Sequence, residues 1–333
     1  MHRRNFIKGS AAMGLAASCI GCSQTEEPTT VEHYFRYGEN QATNYPTTKA
    51  AYYFAELVEL RSSGRIKIIV YPEASLGDES TVIEQVQLGM IDFARVSLGA
   101  LCEFIPFLNV LQLPFLYESA AHMWRVLDGE IGDTCLSVLS DFNLHGMSWY
   151  DAGARSFYTT QKPIQTLEDL AGLQIRVQES RMIGDMITAL GANPITLVFD
   201  EVYSNLQSQS IDGAENNFPS YDSMEHYSVA PYFSEVEHIR IPEIQLISKT
   251  TLAKLSEADQ IMMLAAAQES AIYERTLWSE QETSSKEKVQ AGGAQIFQLN
   301  EGERDRFIEA VLPLYQSYCG DDMDIITAIQ AQT

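Results

Sequence analysis

Ile66-Lys67-Ile68-Ile69-Val70-Tyr71-Pro72 is the stretch that decides the fold. β-Branched and aromatic side chains fit a pleated, half-buried surface, and proline, which cannot donate to a ladder, ends the run. Residues 81–88 then read as a helix and Asp92 to Val96 as a second strand. Upstream, Val31 to Tyr37 alternates with the period of a strand, and Pro46 to Arg61 reads as a helix that stops at Ser62-Ser63-Gly64. Strands separated by helical crossovers pair in parallel, so this half is expected to be an α/β domain with a largely parallel sheet.

The alternation restarts after Tyr150. Leu173-Gln174-Ile175-Arg176-Val177 reads as a strand and Ser180 to Leu190 as a helix with Gly191 as its C-cap glycine. Ile195 to Val198 is a strand, Asp200 to Gln207 a helix, and Asp212-Gly213-Ala214 a short strand or turn. A chain of 333 residues is long for one core, so the two alternating halves are expected to be two α/β lobes. The C-terminal third is helical from the capping signal Ser256-Glu257-Ala258-Asp259 to Gly292-Gly293. About 35 residues at ~1.5 Å each give roughly 50 Å. Such a helix either runs across both lobes as a brace or breaks at Glu282-Thr283-Ser284-Ser285.

The first 22 residues read as an export signal rather than as part of the fold. Arg3-Arg4 opens a basic stretch, Gly9 to Ile20 is short and mildly apolar, and no acid precedes Glu26. The arginine pair suits the twin-arginine route, and Cys19 or Cys22 would be the site of any lipid anchor. Residues 23–30 form a polar tether. Cleavage after residue 22 would remove Arg3, Arg4 and Lys8 and take the formal charge from -23 to -26. Cys102, Cys135 and Cys319 show neither metal-ligand nor disulfide spacing and read as small buried apolar residues. The most apolar later run, Phe104 to Tyr117, is interrupted by Pro106, Asn109, Gln112 and Pro114 and is too short to span a bilayer. The expected mature protein is soluble and lies outside the cytoplasm.

No catalytic signature appears: no G-x-S-x-G elbow, phosphate loop, H-E-x-x-H or dinucleotide glycine pattern. The six histidines show no metal-ligand pairing. The expectation is therefore a non-enzyme with no cofactor, metal or nucleic-acid partner. Against 45 acidic residues stand only 22 basic ones, which makes two arginines informative. Arg155, in Gly153-Ala154-Arg155-Ser156-Phe157, and Arg176, inside an apolar strand, each need a local partner, either a structural carboxylate or an anionic ligand. A guanidinium holds a carboxylate through two parallel charge-assisted hydrogen bonds. In two-lobed α/β proteins, ligands collect at strand ends and in the cleft.

Several motifs in order carry a family resemblance: Gly64-Arg65-Ile66, Tyr71-Pro72, Leu76-Gly77, Leu113-Pro114-Phe115, Gly153-Ala154-Arg155 and Lys162-Pro163-Ile164. Asp169-Leu170-Ala171-Gly172-Leu173-Gln174-Ile175-Arg176, Leu190-Gly191-Ala192, Phe199-Asp200-Glu201-Val202-Tyr203 and Asp212-Gly213-Ala214-Glu215-Asn216 follow. From about residue 31 to 310 the chain resembles the solute receptors of TRAP (tripartite ATP-independent periplasmic) transporters. The resemblance implies a two-lobed α/β periplasmic-binding-protein fold, type II-like, with hinge strands and a long helix spanning both lobes. The first lobe would be 31–152 plus about 243–282, and the second 153–242 plus about 283–333. It further implies Arg176 as carboxylate clamp, Arg155 and Asn216 as supporting ligand contacts, and Phe199 lining the cleft. The partners would be a small and a large membrane subunit, and the receptor itself a periplasmic monomer.

Arg36-Tyr37-Gly38-Glu39-Asn40, Asn44-Tyr45-Pro46, Phe93-Ala94-Arg95-Val96-Ser97 and Trp149-Tyr150-Asp151-Ala152 resemble the hexuronate-binding subgroup, whose ligands include glucuronate and galacturonate. On that resemblance Glu39, Asn40, Asn44, Asp78, Glu79 and Asn216 would meet hydroxyls, and Arg95 would add a second positive charge. Asp78 and Glu79 equally suit a helix cap. Asn217 departs from the proline common in the family, which suggests a ligand richer in hydroxyls. Other readings are a receptor for a C4-dicarboxylate, keto acid or aldonate, or an extracytoplasmic sensor subunit.

Overall fold

The computed structural model describes residues 30–332; the expected export signal, and all but the last residue of the tether, lie outside them. The chain opens with β1 (His33–Gly38), α1 (Pro46–Arg61), β2 (Ile66–Tyr71), α2 (Glu79–Gln87), β3 (Phe93–Ser97) and α3 (Leu98–Leu101). α4 (Ala120–Leu127), α5 (Glu130–Val138) and β4 (Leu144–Tyr150) complete the first half. The second half contains β5 (Ala154–Thr159), β6 (Gln174–Val177), α6 (Arg181–Ala189), β7 (Asn193–Thr196), α7 (Val202–Gln207), β8 (Gly213–Asn216), α8 (Phe218–Ser223) and β9 (Tyr232–Arg240). Then come β10 (Glu243–Ser248), α9 (Lys249–Leu252), α10 (Glu257–Ala291), β11 (Gln295–Phe297), α11 (Glu303–Val311), α12 (Pro313–Cys319) and α13 (Met323–Gln330).

The strands form two sheets, ordered β2-β1-β3-β10-β4 and β11-β9-β5-β8-β6-β7. Neither is as parallel as the helical crossovers imply. β1 pairs in parallel with β2 and β3, but β10 runs antiparallel between β3 and β4. In the second sheet β5 is antiparallel to both β8 and β9. The antiparallel members flank the two places where the chain passes between sheets. β4 leads through Asp151-Ala152-Gly153 to β5, and β9 returns through Ile241-Pro242 to β10. Strand alternation along the sequence records crossovers within a lobe and carries no mark of a strand that enters from the other one.

α10 is the third connection and does not break. Ser256 caps it, its hydroxyl accepting from Asp259 N at 3.2 Å. The expected weak point, Glu282-Thr283-Ser284-Ser285, stays helical because its hydroxyls find partners that leave the ladder intact. Thr283 Oγ1 donates to Ser279 O at 3.2 Å and Ser285 Oγ to Asp222 Oδ2 at 2.9 Å. Met263, Ala266 and Ala267 of α10 pack in the first-lobe core with Phe54 and Phe93. Val289, near its end, packs with Tyr158 and Phe233 in the second. Its 35 residues, about 52 Å at ~1.5 Å each, therefore reach both cores.

The chain after β11 first packs on the second lobe, where residues 283–333 were expected, but its end crosses to the first. On the second lobe Leu167 N donates to Glu303 Oε2 at 2.8 Å and Tyr318 Oη to Asp185 Oδ2 at 2.5 Å. Tyr315 Oη donates to Pro114 O at 2.8 Å, and Arg125 Nε on α4 donates to Gln332 O at 2.7 Å. α13 thus closes against first-lobe elements. Cys102, Cys135 and Cys319 are free and buried. No helix among the described residues is long and apolar enough to cross a membrane.

Candidate functional site

The C-terminal ends of β3, β6 and β8 converge on a cavity of about 290 Å³ between the sheets. This is near the lower end of the ~300–1,000 Å³ usual for small-molecule sites. Eight of the ten residues expected there line it: Asn40, Asp78, Glu79, Arg95, Arg155, Arg176, Phe199 and Asn216. Asn44 is exposed and outside the lining. Glu39 is buried behind Arg95 rather than facing the cavity.

Arg176 lies on β6, an interior strand between β8 and β7, so successive side chains leave opposite faces. Ile175 and Val177 enter the apolar core, and Arg176 is left on the cavity face. Its Nε and Nη2 donate to Leu197 O at 2.9 and 2.7 Å. No carboxylate among the described residues lies within ion-pair distance of it. Burial lowers its pKa to about 10, which leaves it charged at neutral pH. Burial, and then Arg176, hold the nearby His226 imidazole down to about 3. His226 is therefore neutral, with its Nδ1 2.9 Å from Tyr158 Oη.

Arg155 has the partner that its position in an acidic chain demands. Its Nε and Nη2 grip Glu215 Oε2 and Oε1 at 2.5 and 2.7 Å, and Nη1 donates to Asn216 Oδ1 at 3.0 Å. Burial pushes the Glu215 carboxyl up, but Arg155 outweighs it and holds the group near 2. The pair is neutral as a unit. With Oδ1 engaged, the amide nitrogen is what Asn216 has left to offer.

Arg95 does not act as the second free positive charge expected of it. Its Nε donates to Glu39 Oε2 at 3.1 Å, and its Nη1 to Glu79 Oε1 at 3.1 Å and Glu243 Oε2 at 2.7 Å. Three carboxylates around one guanidinium leave this wall with two surplus negative charges when all are ionised. Burial pushes Glu79 up to about 7, against the pull of Arg95, and raises Glu243 in the same way. Asp78 proves to be a cap as well as a lining residue, its Oδ1 accepting from Thr81 N at 2.7 Å. Asn217 caps α8 through Ser220 N at 2.8 Å and donates to Ala152 O at 3.0 Å. Those bonds tie the amide to the fold, yet Asn217 also lines the cavity and they leave one of its two amide N–H donors unused.

The site also draws on residues without a local signal. Glu243 arrives at the hinge and Trp278 from the middle of α10. The lobes touch across the cavity mouth. Tyr45 Oη is 2.9 Å from Ser220 Oγ, Gln178 Nε2 donates to Ser97 Oγ at 3.2 Å, and Ser80 Oγ to Glu179 Oε2 at 3.0 Å. Pairs this distant in sequence can be found only once the lobes are assembled.

Two mixed sheets joined by hinge strands and a bracing helix, with a polar cavity between them, have the form of a two-lobed solute receptor. The chain belongs to the bacterial extracellular solute-binding proteins, family 7, whose model matches residues 37–321. It is similar to a TRAP periplasmic solute-binding protein of Xanthobacter autotrophicus Py2 solved with bound β-D-galacturonate. The two are 41% identical with a TM-score of 0.86, over 89% of this chain and 99% of that one. A second such structure, from Chromohalobacter salexigens with bound D-glucuronate, is 36% identical with a TM-score of 0.87, over 90% and 100%. A solute-binding protein of Chromohalobacter salexigens is 35% identical across 97% of this chain and 95% of its own length. The protein is thus an extracytoplasmic receptor of the TRAP type, among relatives that bind solutes rather than transform them.

Proposed function

We propose that this receptor binds a hexuronate, glucuronate or galacturonate, by its carboxylate. Arg176 is the clamp, Arg155 and Asn216 are its supports, and the polar first-lobe wall meets the hydroxyls. The carrying observation is that Arg176 faces the cavity, buried, with only a backbone carbonyl as partner. A buried charge without a counter-charge is costly, and a ligand carboxylate would supply one. Arg155 and Arg95 are already matched, so one ligand carboxylate suffices. That favours a monoacid over a C4-dicarboxylate. The uronates bound by the two similar structures support the same ligand class.

Binding would stabilise the closed cleft by differential affinity, with bending at Asp151-Ala152-Gly153 and Ile241-Pro242. The closed receptor then delivers its ligand to two membrane subunits, after export by way of the N-terminal signal. A thermal-shift screen of the mature protein tests the ligand. D-Glucuronate or D-galacturonate at 100 times the dissociation constant should stabilise by ~2.7 kcal/mol. Shifts with succinate or pyruvate and none with either uronate would overturn the assignment.

A further inference from the structure

We propose that Glu79 and Glu243 act as a charge filter on the wall around Arg95, so that the receptor admits sugar monoacids and rejects the corresponding aldaric diacids. The inference rests on the hexuronate reading and specifies which oxidation state of the sugar that site accepts.

The cavity lining carries five acids, Asp78, Glu79, Glu179, Asp200 and Glu243, against Arg95, Arg155 and Arg176. Arg155 is charge-matched by Glu215 and Arg95 is outnumbered, so Arg176 is the one lining guanidinium without a carboxylate partner among the described residues. The two filter carboxylates are fixed. Glu79 Oε1 accepts from Ser97 N at 3.0 Å and from Arg95 Nη1, and Glu243 Oε2 accepts from Arg95 Nη1. Neither Glu79 Oε2 nor Glu243 Oε1 has a hydrogen-bond donor among the described residues. An ionised carboxylate only accepts hydrogen bonds. It can accept a hydrogen bond from a sugar hydroxyl but has nothing to offer a second carboxylate. A unit charge ~5 Å from one such group, at an effective dielectric near 20, is disfavoured by about a hundredfold in dissociation constant. Glu79 enters from the N-terminus of α2 and Glu243 from the hinge after Pro242, so the filter forms only when the first sheet receives its strand from the second lobe.

The test is calorimetric titration of the mature receptor with D-glucuronate and D-glucarate at pH 8, where Glu79, pushed up to about 7 by burial, is ionised. The parent should bind glucuronate and hold glucarate at least about a hundredfold more weakly. Glu243→Gln and, separately, Glu79→Gln should each narrow that ratio by about a hundredfold through a gain in glucarate binding, an outcome that a misfolded variant cannot mimic. Equal affinity of the parent for both acids would overturn the filter, as would variants that both keep the parent's ratio. Failure of the parent to bind either D-glucuronate or D-galacturonate would instead overturn the hexuronate reading on which the filter stands.

Discussion

Replacing Arg176 by methionine should stabilise the ligand-free protein while abolishing its response to a sugar acid. The side chain is 2% exposed and has no carboxylate partner, and burial draws its pKa down to about 10. At ~1.4 kcal/mol per pKa unit, that depression costs the folded state on the order of 3 kcal/mol. Methionine is unbranched and apolar and carries no such desolvation cost. Against this, the Leu197 carbonyl loses donors at 2.9 and 2.7 Å, a loss of about 1–2 kcal/mol. Leu197 lines the cavity, so water can replace part of it. The net gain is about 1–2 kcal/mol, or roughly 1.5–3 °C in melting temperature for a chain of this size. Scanning calorimetry without ligand, and again with D-glucuronate at 100 times the parent's dissociation constant, reads both effects. A ligand-free variant that melts below the parent would refute the reasoning, because Arg176 would then be a structural anchor for Leu197. Arg176→Lys keeps the charge but loses the two-pronged geometry. It is expected to weaken binding about ten- to a hundredfold without the rise in ligand-free stability.

Glu215→Gln breaks a buried ion pair and strands Arg155, so urea unfolding should show a loss of about 3–5 kcal/mol; a parent-like midpoint would contradict the pairing. Glu215, held near 2 in the folded state, takes up a proton more readily in the unfolded chain. Its contribution is full above pH ~4.5 and is lost as the pH falls towards 2. Glu79 has the opposite sign. Pushed up to about 7, it retains its proton in the folded state while the unfolded chain ionises near pH ~4.5. Stability should therefore decline as the pH rises from ~4.5 to 7, and the urea midpoints of Glu79→Gln should lack that decline. Tyr45→Phe deletes the 2.9 Å hydroxyl contact with Ser220 across the cleft. It should weaken uronate binding about fivefold, the equivalent of ~1 kcal/mol; an unchanged dissociation constant by calorimetry would remove Tyr45 from closure.

Elements whose signals are local were legible in the chain. Pro46–Arg61 is helical over the expected residues, and Ser256 caps the long helix as its motif suggests. The cavity face of Arg176 follows from its apolar frame, because a strand turns alternate side chains to opposite sides. What failed was long-range. The mixed pairing of β10 depends on a strand arriving from the second lobe. The compensation of Arg95 depends on Glu39 and Glu243, which are 56 and 148 residues away. Arg155 likewise finds Glu215 60 residues downstream.

The α/β lobes, the long capped helix and a short set of arginines are therefore written in the chain itself, as consequences of periodicity and of residue chemistry read over a few turns. Which of the three lining arginines lacks a carboxylate partner emerges from the folded arrangement alone. Charge is compensated through space at 2.5–3.1 Å, and the chain brings those carboxylates together only when two sheets, two hinge strands and one bracing helix have met. Arg155 and Arg95 find partners in that assembly, and Arg176 is left facing the cavity.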